Sequence, residues 1–177
     1  METYNEFAEI YDDAMEEIPY HTWCEDIVDY LKEQGIETGT ICELGCGTGT
    51  MAELLAAKGY QVTGVDVSDR MLQKAMEKRE VSGADIQYVM QDMRELTLHQ
   101  PVDVMLSVCD SMNYLLELSD LEQVFQKVHE YLKPNGIFIF DLKTAYCYRE
   151  VMGDTVMTEH TEDATYIWEN TFFEEER

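Results

Sequence analysis

Five residues of strand character, Thr40–Leu44, run directly into Gly45-Cys46-Gly47-Thr48-Gly49, and a helical pattern follows over Met51–Lys58. A tight glycine turn between a first strand and a helix admits few folds, because the helix must turn back over the strand just completed. The rest of the chain repeats this alternation. Gln61–Val65 reads as a second strand ending at Asp66, and a helix follows from Asp69 to Glu80 with Ser68 as its N-cap. Ile86–Met90 is a third strand leading to Asp92, and Val102–Ser107 is a fourth, with Cys109, Asp110, Ser111 and Asn113 just beyond its carboxyl end. Ser119-Asp120-Leu121-Glu122 has the form of a capping box. The helix behind it carries Leu121, Val124, Phe125, Val128 and Leu132, and stops at Lys133-Pro134-Asn135-Gly136. Ile137–Phe140 is a fifth strand ending at Asp141.

Strands alternating with helices require right-handed crossovers, so the expected fold is doubly wound α/β: a mainly parallel sheet with helices on both faces. Ligands of such sheets bind beyond the carboxyl ends of the strands. Glu43, Asp66, Asp92, the 107–113 cluster and Asp141 all fall at those ends. Ahead of the sheet, Phe7, Ile10, Tyr11 and Ala14, then Trp23, Ile27, Tyr30 and Leu31 after Pro19, mark two amphipathic helices. The expected organisation is a helical cap over residues 1–34, an α/β core over 35–142 and an auxiliary segment over 143–177. In the last of these, 155–160 and 165–173 alternate as a hairpin around Glu162-Asp163-Ala164.

Charge narrows the choice of partner. Of the net −25, residues 1–34 carry −10, residues 35–149 carry −7 and residues 150–177 carry −8. Nucleic-acid affinity comes mainly from Lys and Arg releasing counterions, so no nucleic acid is expected, and anionic membrane surfaces are disfavoured for the same reason. The acidic N-terminus lacks the features of a signal or transit peptide, no apolar run approaches a membrane span, and five scattered cysteines without a Cys-x-x-Cys pair point to a reduced, cytoplasmic protein. No spacing suggests a metal site.

The glycine turn departs from the dinucleotide fingerprint, since its third glycine comes one residue early, and no Gly-Lys-Ser/Thr follows to make a P-loop. Glu43 stands two residues before the first glycine, facing the approach of a ligand. At ~6 Å and an effective dielectric of ~20, each unit charge pair is worth roughly 3 kcal/mol. That is unfavourable for a pyrophosphate and favourable for a cation. Asp66, 21 residues after Gly45, is placed to accept hydrogen bonds from ribose hydroxyls. A nucleoside bearing positive charge and no phosphate fits both, and S-adenosylmethionine is such a molecule.

At this point the sequence resembles the class I S-adenosylmethionine-dependent methyltransferases, which have a Rossmann-like core. Ile41–Gly49, Val62–Ser68, Gln91-Asp92-Met93 and Leu132–Asp141 carry the resemblance. The opening Tyr4-x-x-Phe7-Ala8-x-x-Tyr11-Asp12, with Tyr20 and Trp23, is similar to the N-terminal cap of the small-molecule branch. The resemblance implies that Gly45, Cys46 and Gly47 approach the methionine part of the cofactor with Glu43 beneath, and that Asp66 holds the ribose. It further implies that Val67 and Met71 flank the adenine, that Asp92 accepts from the adenine amino group while Met93 N–H donates to the ring, and that the main chain at Cys109 meets the ammonium. Tyr11 would lie over the site as a lid. Candidates for a base are Asp110, His21 and Tyr114, beside an oxygen or nitrogen acceptor on a small molecule. An RNA-modifying enzyme of the same fold and a binding module without catalysis remain open as alternatives. Only 36 residues follow Asp141, fewer than a class I core uses for its last helix and two strands. The expectation is a core lacking its C-terminal strands, with an open sheet edge available to a homodimer.

Overall fold

The computed structural model describes residues 7–160 and 165–173. Tyr4 and Glu162–Ala164 lie outside the described residues. The chain divides after Asp141 into two compact units. In the first, a 3-10 turn at Phe7–Glu9 and a single helical turn α1 (Tyr11–Ala14) precede α2 (Tyr20–Glu33). Then come β1 (Thr40–Leu44), α3 (Thr50–Ala57), β2 (Gln61–Asp66), α4 (Asp69–Ser82), β3 (Ile86–Met90), β4 (Val102–Ser107), α5 (Leu118–Tyr131) and β5 (Leu132–Phe140). All pairings in the sheet are parallel and the order is β3-β2-β1-β4-β5. Strand order therefore reverses between β1 and β4, and the carboxyl ends of those two strands flank the switch point.

One side of the sheet buries Ile41, Val62, Val104 and Leu106 against Val28, Leu31, Met51 and Leu55, and the other buries Cys42, Leu44, Val65 and Met105 against Val124 and Val128. Those alternating strand residues are the reason helices are needed on both faces. Ser68 caps α4 as expected, its Oγ accepting from Met71 N at 3.3 Å. The capping box does not form: α5 starts two residues earlier, at Leu118 with Glu117 rather than Ser119 as N-cap, and Asp120 accepts from Arg94 Nη1 at 2.8 Å. The join between α5 and β5 also differs from the sequence reading. Leu132 already pairs with Val102, and residues 133–136 form a bulge before Ile137 pairs with Val104. The bulge is held by Lys133 Nζ on Asp103 Oδ2 at 2.9 Å, and Asn135 takes a positive φ of 66°.

The second unit, from Leu142, contains a short π-helical stretch and the antiparallel hairpin β6 (Val156–His160) and β7 (Thr165–Glu169), with Met157 opposite Trp168. Among the described residues no helix is long and apolar enough to cross a membrane.

Candidate active site

At the switch point the glycine turn and the segment after β4 form a cleft lined by Tyr11, Tyr20, Glu43, Gly45, Cys46, Gly47, Val108, Cys109 and Ser111, together with Thr48, Thr50 and Met51. Glu43 forms its floor. Its side chain is 2% exposed and Oε2 has no hydrogen-bond partner. Burial, then the charge of Asp66, push its pKa up to about 8, while the Ala52 backbone N–H pulls the other way. Asp66 caps β2 beside it. Oδ2 accepts from Gly47 N at 2.9 Å and Oδ1 from Ser68 N at 2.8 Å, and burial still raises its pKa despite those bonds.

Gly45 and Gly47 have φ of 70° and 53°, values that favour glycine. A Cβ on Gly45 would meet Ser111 Oγ at 2.6 Å, whereas one on Gly47 would enter open space. Gly47 is therefore the part of the turn open to a ligand. Cys46 is 6% exposed, and burial followed by Glu43 holds its thiol well above the usual range, so it is inert packing. Two consecutive residues after β4, Cys109 and Asp110, are left-handed (φ 57° and 51°), a strained arrangement that turns the chain back across the mouth of the cleft. Asp110 N donates to Asp141 Oδ1 at 2.9 Å, and Ser111 Oγ bridges to Gly45 O at 3.2 Å and Val108 O at 3.0 Å.

Across the mouth, Tyr11 and Tyr20 are hydrogen-bonded and Cys109 Sγ–H donates to Tyr20 Oη at 3.2 Å. Burial pushes Tyr11 up to about 12 and Cys109 up to about 11, and raises Tyr20 as well. All three stay protonated near neutrality. They can hold an acceptor by hydrogen bonds but cannot take its proton.

The remaining sequence candidates sit as follows. Asp110 is at the rim, close enough for its charge to act on Tyr11 and Cys109. His21 is exposed on α2 and lies outside the lining: Tyr20 faces the cleft, and the next helical residue is turned ~100° away. Tyr114 is 55% exposed. Met93 reaches Gly45, its Cε 3.5 Å from where a Cβ would stand. Val67 is exposed at the tip of β2, whereas Met71 is 3% exposed in the core. Asp92 lies at the end of β3 with its carboxylate on Arg94.

Sequence reasoning missed two supports. Lys78 Nζ, on α4, binds Asp12 Oδ2 at 2.7 Å, Thr50 Oγ1 at 2.9 Å and Thr48 Oγ1 at 3.1 Å, so one ammonium clasps the residue after Tyr11, the glycine turn and the start of α3. Lys74 on Glu9, one turn earlier on α4, adds a second ion pair to the same N-terminal segment. The other is Tyr88, whose ring fills the space left by two glycines. A Cβ at Gly64 would stand 2.7 Å from it, and one at Gly49 2.3 Å from its hydroxyl.

A buried carboxylate with one oxygen unpartnered at a glycine turn, next to a second acid and with open space at Gly47, suits a cationic nucleoside. Comparison with known proteins agrees. Residues 41–136 match a family described as a methyltransferase domain. A Geobacillus sp. (strain WCH70) protein that carries a methyltransferase name is 39% identical over 167 residues, covering 94% of this chain and 68% of that one. The crystal structure of an S-adenosylmethionine-dependent methyltransferase from Clostridium acetobutylicum ATCC 824 superimposes with a TM-score of 0.84 at 31% identity, covering 97% and 70% of the two chains. A dTDP-4-amino-2,3,4,6-tetradeoxy-D-glucose N,N-dimethyltransferase of Saccharopolyspora spinosa is 27% identical over 137 residues, 76% of this chain and 53% of that one. The chain belongs to the class I S-adenosylmethionine-dependent methyltransferases. Its cofactor is accordingly S-adenosylmethionine.

Proposed function

We propose that this protein transfers a methyl group to an oxygen or nitrogen of a small molecule bound at the mouth of the cleft, under Tyr11 and Tyr20. The observation that carries the reading is Glu43 in the cleft lining, buried and with its Oε2 left without a hydrogen-bond partner. Glu43 with the backbone of Gly45, Cys46 and Gly47 would hold the amino-acid part of the cofactor, together with the main chain at Cys109. Asp66 would hold the ribose, and Val67, Asp92 and Met93 the adenine, with Met71 packed in the core behind them. Bound there, the cofactor supplies an activated methyl carbon for in-line displacement. The protein's part is to position the acceptor and exclude water. Tyr20, Cys109 and Tyr11 offer neutral hydrogen-bonding groups for that positioning. Asp110 is our candidate for the proton acceptor.

The net charge of −25 and the amino-sugar substrate named for the Saccharopolyspora relative support a small molecule over a nucleic acid. No membrane partner is proposed, and a cytoplasmic location fits the five free thiols among the described residues. Among the described strands β5 pairs only with β4, and its free edge is our candidate for homodimer contact. Calorimetry with S-adenosylmethionine and S-adenosylhomocysteine tests the cofactor site, and turnover over amine, hydroxyl and thiol acceptors tests the reaction. Binding without turnover on any of the three would reduce the protein to a cofactor-binding module.

A further inference from the structure

Asp92, two residues past β3, begins a tight turn in which Glu95 N donates to Asp92 O at 2.9 Å. Its carboxylate is heavily engaged by one residue. Oδ1 accepts from Arg94 N at 2.9 Å and Nε at 3.0 Å, while Oδ2 accepts from Nη2 at 2.6 Å and shares the Nε–H at 3.1 Å. Three N–H groups thus fill three of the carboxylate's roughly four lone-pair positions. Arg94 is braced from its far side, with Nη1 on Asp120 Oδ2 at 2.8 Å, in the first turn of α5. A planar guanidinium gripped by a carboxylate on each side has little freedom left. The side chains of Arg94, Asp92 and Asp120 remain 36%, 27% and 23% exposed, so ion pairing alone contributes little to stability there.

We infer that Arg94 is the positioning residue for adenine recognition and that Asp120 braces it. The pair locks Asp92 in one orientation and leaves a single acceptor position on Oδ2, enough for one N–H of an exocyclic amino group. A purine with a 6-oxo group presents an acceptor to that oxygen and is rejected. Removing Arg94 frees the carboxylate to swing or to hydrate, and the distinction between the two purines fades. This inference rests on the placement of adenine at Asp92 given above.

The test compares S-adenosylhomocysteine with its 6-oxo analogue, S-inosylhomocysteine, by calorimetry on the wild type, Arg94→Met, Arg94→Lys and Asp120→Asn. The wild type is expected to prefer the amino form on the order of 10–100-fold, the worth of one hydrogen bond to a charged acceptor. Arg94→Met brings that preference to within about threefold while affinity for the 6-oxo form changes little. Asp120→Asn gives a partial loss, and Arg94→Lys, which keeps the charge without the fork, stays close to Arg94→Met. If Arg94→Met retains the wild-type preference, or weakens both ligands equally in step with a lower melting temperature, the residue is a structural staple and the inference is overturned. If the wild type binds both forms equally, the inference falls while the cofactor site stands. If it binds neither, the cofactor reading itself has failed.

Discussion

Glu43→Gln should make the ligand-free protein more stable and the cofactor complex weaker, and both effects should depend on pH. In the folded chain burial and Asp66 move the Glu43 pKa from 4.5 to about 8. Below pH 4.5 the group is protonated folded or unfolded and has no effect. Between 4.5 and 8 the folded state holds a proton that the unfolded state has released, so its stability falls as pH rises, by about 1.4 kcal/mol per unit. At pH 7 the accumulated loss is about 3 kcal/mol, and above 8 it is constant. An amide of the same shape removes the charge and should recover about a third to all of this, a rise of about 3–10 °C in melting temperature at pH 8 and almost none at pH 5. Cofactor binding should move oppositely. A cation above an ionised Glu43 gains roughly 3 kcal/mol at an effective dielectric of ~20, so the variant should bind S-adenosylmethionine on the order of 100-fold more weakly at pH 8. Wild-type affinity should climb by up to about tenfold per pH unit toward 8, and the variant's should be flat over that range. Scanning calorimetry and titration calorimetry at pH 5, 7 and 8 read both. A variant no more stable than wild type at pH 8, or one with the wild-type pH slope in its affinity, would refute the reasoning.

Lys78→Met should release the clasp on Asp12, Thr48 and Thr50, speeding S-adenosylhomocysteine dissociation several-fold in stopped flow. A rate equal to wild type would show that the N-terminal segment does not gate the cleft. Gly64→Ala places a methyl 2.7 Å from the Tyr88 ring and 2.9 Å from Cys46 Sγ and should cost about 1–3 kcal/mol in denaturant unfolding, part of it recovered in a Tyr88→Leu background. Burial raises the Asp103 carboxyl, but Thr40 and Lys133 outweigh it and hold the pKa below 3.8. Asp103 therefore adds stability that is present above that value and lost as pH falls through the folded pKa. Asp103→Asn should cost about 1 kcal/mol at pH 7 and less at pH 3 in urea unfolding. Light scattering over a wide concentration range should show dimers through the β5 edge, and a monomer throughout would remove that proposal.

The strands were legible because each is an apolar run bounded by turn residues and ended by a polar one. All five begin or end within a few residues of where the pattern put them. The capping box misled for a tertiary reason: Ser119 has the right neighbours, but Arg94 holds Asp120 and the helix starts before it. Leu132 joined β5 rather than ending α5 because the Lys133 ion pair with Asp103 holds the chain there, and a window along the sequence cannot see a partner 30 residues away. At the site, Tyr11, Glu43, the glycine turn and Cys109 come together in one cleft. Tyr20 was read only as part of the cap, although it completes the hydrogen-bonded chain across the mouth. His21 fell outside because adjacent residues on a helix face different ways. Side-chain hubs such as Lys78 and Arg94 were invisible, since a lysine or arginine on an exposed helix or turn looks the same whether it is solvated or holds three elements.

The structure also gives a physical reason why this glycine turn suits a cation, which the charge of Glu43 alone could only suggest. In turns that cradle phosphates, several backbone N–H groups point at the ligand. Here those donors are turned inward. Gly45 N and Cys46 N both donate to Val65 O at 2.8 and 3.0 Å, Gly47 N to Asp66, Gly49 N to Cys46 O at 2.9 Å, and Ala52 N to Glu43. Once they are used, the turn presents to the cleft a carboxylate and carbonyl oxygens, which repel a pyrophosphate, and few N–H donors to hold one. The third glycine, one residue early, serves this arrangement: Gly49, at φ 79°, turns the chain into α3 and leaves room for the Tyr88 hydroxyl beneath. A dinucleotide should therefore fail to compete at this site. Titrating NAD to millimolar concentration against bound S-adenosylhomocysteine should leave its apparent affinity unchanged. Displacement by NAD would mean that the inward donors rearrange on binding, and the charge-based reading of the turn would have to be given up.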